Sequence, residues 1–331
     1  MADSKSSTAV SVTHEWGSLK EAIVGIGEDI MIPDWIERYG EYITPDVADL
    51  AKRHAGKMLR DVDSKSEERT IEQVEGLVDT LKDNGVKVYR STRLTEEEFQ
   101  YLGNLRRGNS QLYPRDPIVV IGNNIIETSL QDIVRRKERF GIRKALETRI
   151  PQSNANYVSM LEPYPLSGDS AGSSQSPFLE GGDVLLNGHE IFVGISGHGS
   201  NEAGVDWLRS FLGPQYRIQP ISLSRHFLHL DTAMMMCRPG LAVICPEALL
   251  DGIPPSLKHW EFIEVTSEEA SRLATNFLVL DENTCIIDKQ HSRIGEALRM
   301  KGQNVISVAY DQVSQWGGAF RCSHHPLIRE S

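Results

Sequence analysis

The sequence predicts an α/β protein made of several ββαβ-like units that share one core, and two recurring patterns predict it. In the first, two short apolar runs flank a turn rich in Gly and Asn, at 118–128 (IVVIGNNIIET), 184–194 (VLLNGHEIFVG) and 277–288 (FLVLDENTCIID). Such pairs mark hairpins because Gly and Asn accept the positive φ that twist-matched turns need. In the second, an apolar helical stretch ends at Gly or Asn and a β-branched strand follows within a few residues. This order occurs at 77–90 (LVDTLKDNGVKVYR), 207–221 (WLRSFLGPQYRIQPI) and 297–309 (ALRMKGQNVISVA). The glycine there supplies a left-handed helix C-cap.

Taken in chain order, 1–12 reads as a flexible polar segment and 13–331 as one domain. Residues 13–27 form a turn into a short buried strand, and 34–83 is mostly helical, with Ile71, Val74, Leu77, Val78 and Leu81 at helical spacing. Residues 168–177 (GDSAGSSQSP) form a Ser/Gly loop inside the fold, readable as a flap or as a linker. Met234–Met236 lies on a strand and serves as core filling.

Composition narrows the function classes. At 331 residues, 40% hydrophobic and 24% charged, with 27 Gly and 15 Pro, the chain is an ordinary globular protein and not a disordered one. Its 35 basic and 46 acidic residues leave a net charge of −11, and no basic stripe offers a footprint for nucleic acid. No run reaches the roughly 18 apolar residues of a spanning helix, and the N-terminus has no apolar signal region. The expectation is a cytoplasmic protein with neither a membrane nor a nucleic acid as partner, and a homo-oligomer is left open. Four cysteines, Cys237, Cys245, Cys285 and Cys322, form no CxxC pair, so a zinc site and a disulfide scaffold are both unexpected. The first three lie in apolar runs and read as core.

The chemistry-bearing candidates cluster in five places. Cys322 follows the Gly317–Gly318 turn, with Arg321, His324 and His325 beside it to favour a thiolate; the plainer reading is a small buried hydrophobe. In an extended segment His229 and Asp231 would point to one face, a base beside an anionic anchor; alternatively they are an interior histidine and a capping aspartate. Glu180 and Asp183, in Glu-Gly-Gly-Asp, and Asp116, in Arg-Asp-Pro, precede apolar hairpins, where loops meet the sheet. Carboxylates and a nucleophilic cysteine together would suit a planar guanidinium, whose N–H fork pairs with carboxylate oxygens. His324 and His325 lack a third partner at metal spacing, so no metal is expected.

These motifs, in this order and with Val193–Ser196 between them, resemble the guanidine-modifying superfamily with the pentein (α/β-propeller) fold, over about residues 14–329. The superfamily includes arginine deiminases, dimethylarginine dimethylaminohydrolases and amidinotransferases. The resemblance implies about five ββαβ-type units around a central site, a small-molecule guanidinium substrate and no cofactor. It implies Cys322 as nucleophile, His229 as proton shuttle and Glu180 as its orienting partner. Asp116 and Asp231 would hold the guanidinium, and Asp183, His198 and Arg321 are counted with the substrate-binding residues. The N-terminal half (HEWGSLKEAIVG, PRDPIVVIGNNIIE) looks most like glycine amidinotransferases, whereas FLEGGDVLLNGHEIFVGIS and the tail RCSHHPL look like the hydrolases. Amidinotransferases usually show an F-D-A-A-D-type segment where this chain has Glu180-Gly-Gly-Asp183, so hydrolysis is the first expectation and amidino transfer the second. One departure stands out. His198 replaces an arginine that the hydrolases usually use toward the substrate's α-carboxylate, which leaves Arg225 or Arg321 as substitutes.

Overall fold

The computed structural model describes residues 9–163 and 176–330. Among them, five three-stranded sheets follow one plan, an antiparallel pair of which one strand also pairs in parallel with a third. In chain order the first sheet joins Ser18–Val24 to Lys87–Arg90 in parallel and to His324–Glu330 antiparallel. The second holds Ile118–Ile121, Asn124–Glu127 and Asn156–Ser159. Val184–Asn187, Glu190–Ile195 and Arg217–Ser222 make the third, and Met234–Arg238, Leu241–Ile244 and Glu261–Glu264 the fourth. The fifth consists of Leu278–Asp281, Thr284–Asp288 and Asn304–Val308.

The local chemistry explains each unit. Gly122 and Gly188 turn the second and third hairpins with φ of 57° and 66°, and Gly213 and Gly302 end helices at 77° and 85°. A parallel pairing requires a crossover, and helices Ser64–Asp83, Glu138–Arg149, Glu202–Leu212 and Ser292–Met300 provide four of the five. In the fourth unit Pro246, Pro254 and Pro255 withhold helix N–H groups, and the crossover contains the short 3₁₀ turns Pro246–Ala248 and Pro255–Leu257 instead. The expectation of helix over 34–83 resolves into Glu37–Glu41, Pro45–His54, Leu59–Val62 and Ser64–Asp83. The first three belong to an excursion that begins with Ile26–Met31, whose partner strand is Asn109–Gln111.

Residues 9–12 of the segment expected to be flexible are held in place. Ser11 bonds Leu327 and Arg329 through its backbone, Val12 exchanges bonds with Gly122, and Val10 and Val12 are buried. Their alternating apolar side chains close a seam between the first and second units. Of the Ser/Gly loop at 168–177, residues 168–175 lie outside the described residues. Met234–Met236 and the three cysteines Cys237, Cys245 and Cys285 are buried core, as expected.

Shared apolar clusters join each unit to the next, and Leu19, Ala22 and Val24 pack in one cluster with Leu278, Leu280 and Ile286, so the first unit meets the fifth and the five form a ring. His324–Glu330, paired with the first strand, anchors the segment that carries Cys322 in the ring. Leu327 at its centre is fully buried against residues of the second and third units. Leu327→Ala is expected to cost about 2–5 kcal/mol, from lost burial and the cavity left behind. Urea unfolding checks this, and a change below about 0.5 kcal/mol would show that the closing strand carries little of the stability.

Candidate active site

Asp116, Glu180, His229 and Cys322 line one cavity of about 160 Å³ in the centre of the ring. A larger open groove, between Pro246 and Ile294, contains none of the motif residues. The glycines of Glu180-Gly-Gly-Asp183 explain how the cavity wall closes. A Cβ on Gly181 would lie 1.9 Å from the Arg115 carbonyl oxygen, and one on Gly182 would lie 2.5 Å from His229 Nδ1. Only glycine lets this backbone approach so closely. The Gly182 N–H can then donate to Asp116 Oδ1 at 2.8 Å.

His229 Nε2 lies 2.8 Å from Glu180 Oε2, and Nδ1 lies 3.7 Å from Asp116 Oδ1. Burial disfavours the imidazolium, but Asp116, Asp183 and the Glu180 hydrogen bond outweigh it and raise the pKa to about 10. His229 is therefore protonated at neutral pH. Cys322 is buried; burial pushes its thiol up, and the nearby carboxylates of Asp231 and Asp116 push it further. The thiol donates to Asp231 Oδ2 at 3.6 Å, while Asp231 Oδ1 is buried and has no partner among the described residues. Asn276 ties these parts together. Its Oδ1 accepts from the Ala319 and Cys322 N–H groups, and its Nδ2 lies 3.4 Å from the Asp231 carbonyl.

Several expectations need correction. His229 and Asp231 do not share a strand face: His229 is extended, but Leu230–Thr232 is a 3₁₀ turn that sends Asp231 toward Cys322. Arg321, expected among the substrate-binding residues, does not line the cavity. It is fully buried and donates to both oxygens of Glu15, to Asp231 Oδ2 and to the carbonyls of Gly181 and Val184. Asp183 is also fully buried and outside the cavity wall; its oxygens accept from the Ser200 and Leu230 N–H groups. It holds the loop that carries His229. His324 and His325 do not assist the thiol, because burial and then Arg115 keep both imidazoles neutral. His198 does line the cavity, 4.8 Å from the Tyr42 ring, but its Nε2 faces the Arg225 carbonyl at 2.9 Å and burial lowers its pKa. Arg225 itself is exposed on the surface and paired with Glu41.

Sequence reasoning missed Arg135 and Glu138, which also line the cavity. Arg135 donates to Asp116 Oδ2 at 2.7 Å, to both Glu138 oxygens at 2.9 Å, and to Glu180 Oε2 at 3.4 Å. The unbroken charged run of residues 135–139 looks like a solvated helix face, and nothing local marks it as interior. Atoms of Asp116, Glu180 and His229 lie within 4.8 Å of one another, close enough to share a metal ion. Arg135 and the protonated His229 already supply positive charge there, so this donor set does not suit a further cation of that kind.

The Arg321 correction can be tested directly. Arg321→Met leaves Glu15 and Asp231 buried without their cation and is expected to destabilise the fold by about 3–5 kcal/mol. Guanidinium chloride unfolding checks this; an unchanged midpoint with weakened substrate binding would restore Arg321 as a ligand.

The family model for eukaryotic N,N dimethylarginine dimethylhydrolases matches residues 41–329. Among curated relatives, the uncharacterized protein YkgA of Bacillus subtilis is 28% identical over 66% of this chain and 70% of its own. Inosamine-phosphate amidinotransferase 1 of Streptomyces griseus is 25% identical over 95% of both chains. A solved inosamine-phosphate amidinotransferase structure from Streptomyces griseus superposes with a TM-score of 0.81 at 23% identity over 97% of both chains. The dimethylarginine dimethylaminohydrolase of Pseudomonas aeruginosa gives 0.65 at 17% identity over 93% of this chain and 99% of its own. The five-unit ring is thus the pentein fold.

Proposed function

The chain belongs to the eukaryotic N,N dimethylarginine dimethylhydrolase family, within the guanidine-modifying pentein superfamily, and on that premise we propose that it hydrolyses the guanidino group of an arginine-like compound with Cys322 as nucleophile. The observation that carries this reading is the setting of the thiol. It shares one cavity with the His229–Glu180 pair and sits against Asp231, one of whose buried oxygens has no partner among the described residues.

A buried carboxylate oxygen without a donor favours a cation with N–H groups, and a guanidinium supplies both. Asp231 is the proposed anchor. Asp231 is fully buried behind Cys322, whereas Asp116 is on the cavity wall itself and already accepts from Arg135 and Gly182, so it contributes charge and its remaining acceptor capacity. Arrival of the cation also resolves the state of the thiol. Burial and then Asp231 and Asp116 hold the Cys322 thiol protonated, and a positive charge beside it favours the thiolate, so its proton departs to water.

The thiolate then attacks the guanidinium carbon and forms a C–S bond, and the central C–N π bond becomes a nitrogen lone pair. His229, protonated at neutral pH and oriented by Glu180, gives its proton to the departing nitrogen; the C–N bond breaks, ammonia or a small amine leaves, and a thiouronium cation remains on Cys322. Neutral His229 next takes a proton from water as the water oxygen bonds to carbon. Collapse breaks the C–S bond and returns the thiolate, the hydroxyl of the adduct gives its proton to water and thence to the released amine, and a neutral ureido product departs.

A second reading, amidino transfer, is favoured by the relatives that match almost the full chain, such as inosamine-phosphate amidinotransferase 1. There the alkylamine of the substrate leaves first and an acceptor amine takes the place of water. The family match over 41–329 and a glutamate, Glu180, as the histidine's partner favour hydrolysis.

Products decide between the two. With arginine, agmatine and methylated arginines, mass spectrometry is expected to find a ureido product without any amine present; ornithine plus an amidinated glycine or lysine, formed only when the amine is added, would select transfer. Cys322→Ser should abolish either reaction while the protein stays folded, and near-normal turnover would refute the nucleophile. Turnover should also decline as pH rises toward 10 and His229 loses its proton. Because Glu180 raises that pKa, Glu180→Gln should move the decline to lower pH; an unmoved pH profile would remove His229 as the acid.

A further inference from the structure

We propose that Asn276 is a positioning residue for the nucleophile: its carboxamide fixes the direction in which Cys322 presents its sulfur and ties Asp231 to the same frame. The inference rests on the reading of Cys322 given above and adds what keeps the sulfur aligned for attack.

Asn276 is fully buried in the loop that joins the helix Ser267–Ser271 to the fifth hairpin. A tight turn aims it inward. Leu273 has a φ of 68°, in the left-handed region that a leucine rarely adopts, and the Asn276 N–H closes the turn on the Leu273 carbonyl at 3.0 Å. Strain of this kind persists only where the surrounding structure holds it, and it gathers at functional sites. Here the Leu273 side chain is held in the apolar cluster that contains Leu278 and Phe320. Thr275 and Asn276, both fully buried, reach the site together.

Three N–H groups of the segment that carries the thiol end on Asn276. Its Oδ1 accepts from Ala319 at 3.0 Å and from Cys322 at 3.2 Å, and its backbone carbonyl accepts from Arg321 at 3.2 Å. On the other side the Cys322 carbonyl accepts from the Arg115 N–H at 3.2 Å, so the backbone of Cys322 is fixed at both its polar groups. Asn276 Nδ2 lies 3.4 Å from the Asp231 carbonyl, to which the Thr275 hydroxyl also donates at 3.1 Å. One side chain thus spans the nucleophile and the proposed anchor.

Asn276 also acts on the sulfur. Burial, Asp231 and Asp116 push the thiol up, and a hydrogen bond from the Asn276 side chain pulls it the other way. A primary amide suits both tasks, because its oxygen can accept twice while its nitrogen donates. Aspartate would keep the acceptor, but it would set a second oxygen against the Asp231 carbonyl and a negative charge beside the thiol. Alanine would leave two buried N–H groups unbonded.

The test is alkylation of Cys322 by 2-chloroacetamidine, an amidinium with the planar N–H fork of a guanidinium, and by the neutral 2-chloroacetamide. Each rate is divided by that of free cysteine, and mass mapping identifies the Cys322 peptide. The wild type should favour the amidine. Asn276→Ala should lower the limiting rate of alkylation by about tenfold to a hundredfold, the scale of a misaligned reacting atom, with the half-saturating amidine concentration within about twofold of wild type. Asn276→Asp should lose a similar factor near neutral pH and regain it from about pH 7.5 to about pH 9, because its added charge opposes the thiolate; Asn276→Ala should not regain it. Over that range Arg321 stays charged, His229 stays protonated and the phenols of Tyr113 and Tyr310 stay neutral, so the recovery reports the thiol. A limiting rate and pH profile equal to wild type in either variant overturns the role of Asn276 and leaves the Cys322 chemistry standing. No preference of the wild type for the amidine overturns the guanidinium reading of the cavity, and this inference with it. If Asn276→Ala does not fold, Asn276→Asp, which keeps the acceptor, decides by its pH profile.

Discussion

The guanidinium of Arg321 never meets solvent, and the arrangement of the site depends on the partners it requires. Left alone in the interior such a charge would be prohibitively costly. Here it is matched by Glu15 from the N-terminal segment, by Asp231 from the fourth unit, and by the carbonyls of Gly181 and Val184 from the third. Glu15 in turn accepts from the Leu186 N–H, which ties the start of the chain to the third hairpin. One side chain thus fixes the mutual positions of segments that the sequence sets far apart. Cys322 is the next residue, so its place against Asp231 follows from where Arg321 must sit.

Around that frame the site holds several charges that low polarity makes strongly dependent on one another. His229 stays protonated because Asp116, Asp183 and Glu180 surround it, and Arg135 helps to keep Asp116 ionised despite its burial. Burial, and then the carboxylates of Asp231 and Asp116, keep the thiol of Cys322 protonated. Under the proposed reading, a bound cation beside the thiol shifts this balance toward the thiolate.

The elements that were legible in the sequence are those with local causes. Hairpins at 118–128, 184–194 and 277–288 and the helix-to-strand joints appear where turn glycines and apolar runs place them. The hairpin of Met234–Arg238 and Leu241–Ile244 was less visible, because its two runs are apolar at nearly every position and do not alternate. Cys322, His229, Glu180 and Asp116 were legible as a set because their motifs occur in a distinctive order, and they meet in one cavity. Asp183 and Arg321 carry the same motif signal yet face inward, since a short motif marks a residue without saying which side of the wall it occupies.

What the sequence by itself determined is the repeated unit and the kind of chemistry: hairpin turns, helix caps, and a cysteine with the acids and histidine that a guanidinium calls for. These are properties of neighbouring residues, set by φ preferences and side-chain type. Tertiary structure alone decided which charges are spent on holding the fold and which remain for a ligand. Arg321 finds Glu15 across 306 residues, Arg135 finds Asp116, and Arg38 shares Asp132 with Arg106. Each of these pairings is made by ring closure and burial, because the energy of a charge depends on what surrounds it in space and not on what precedes it in the chain.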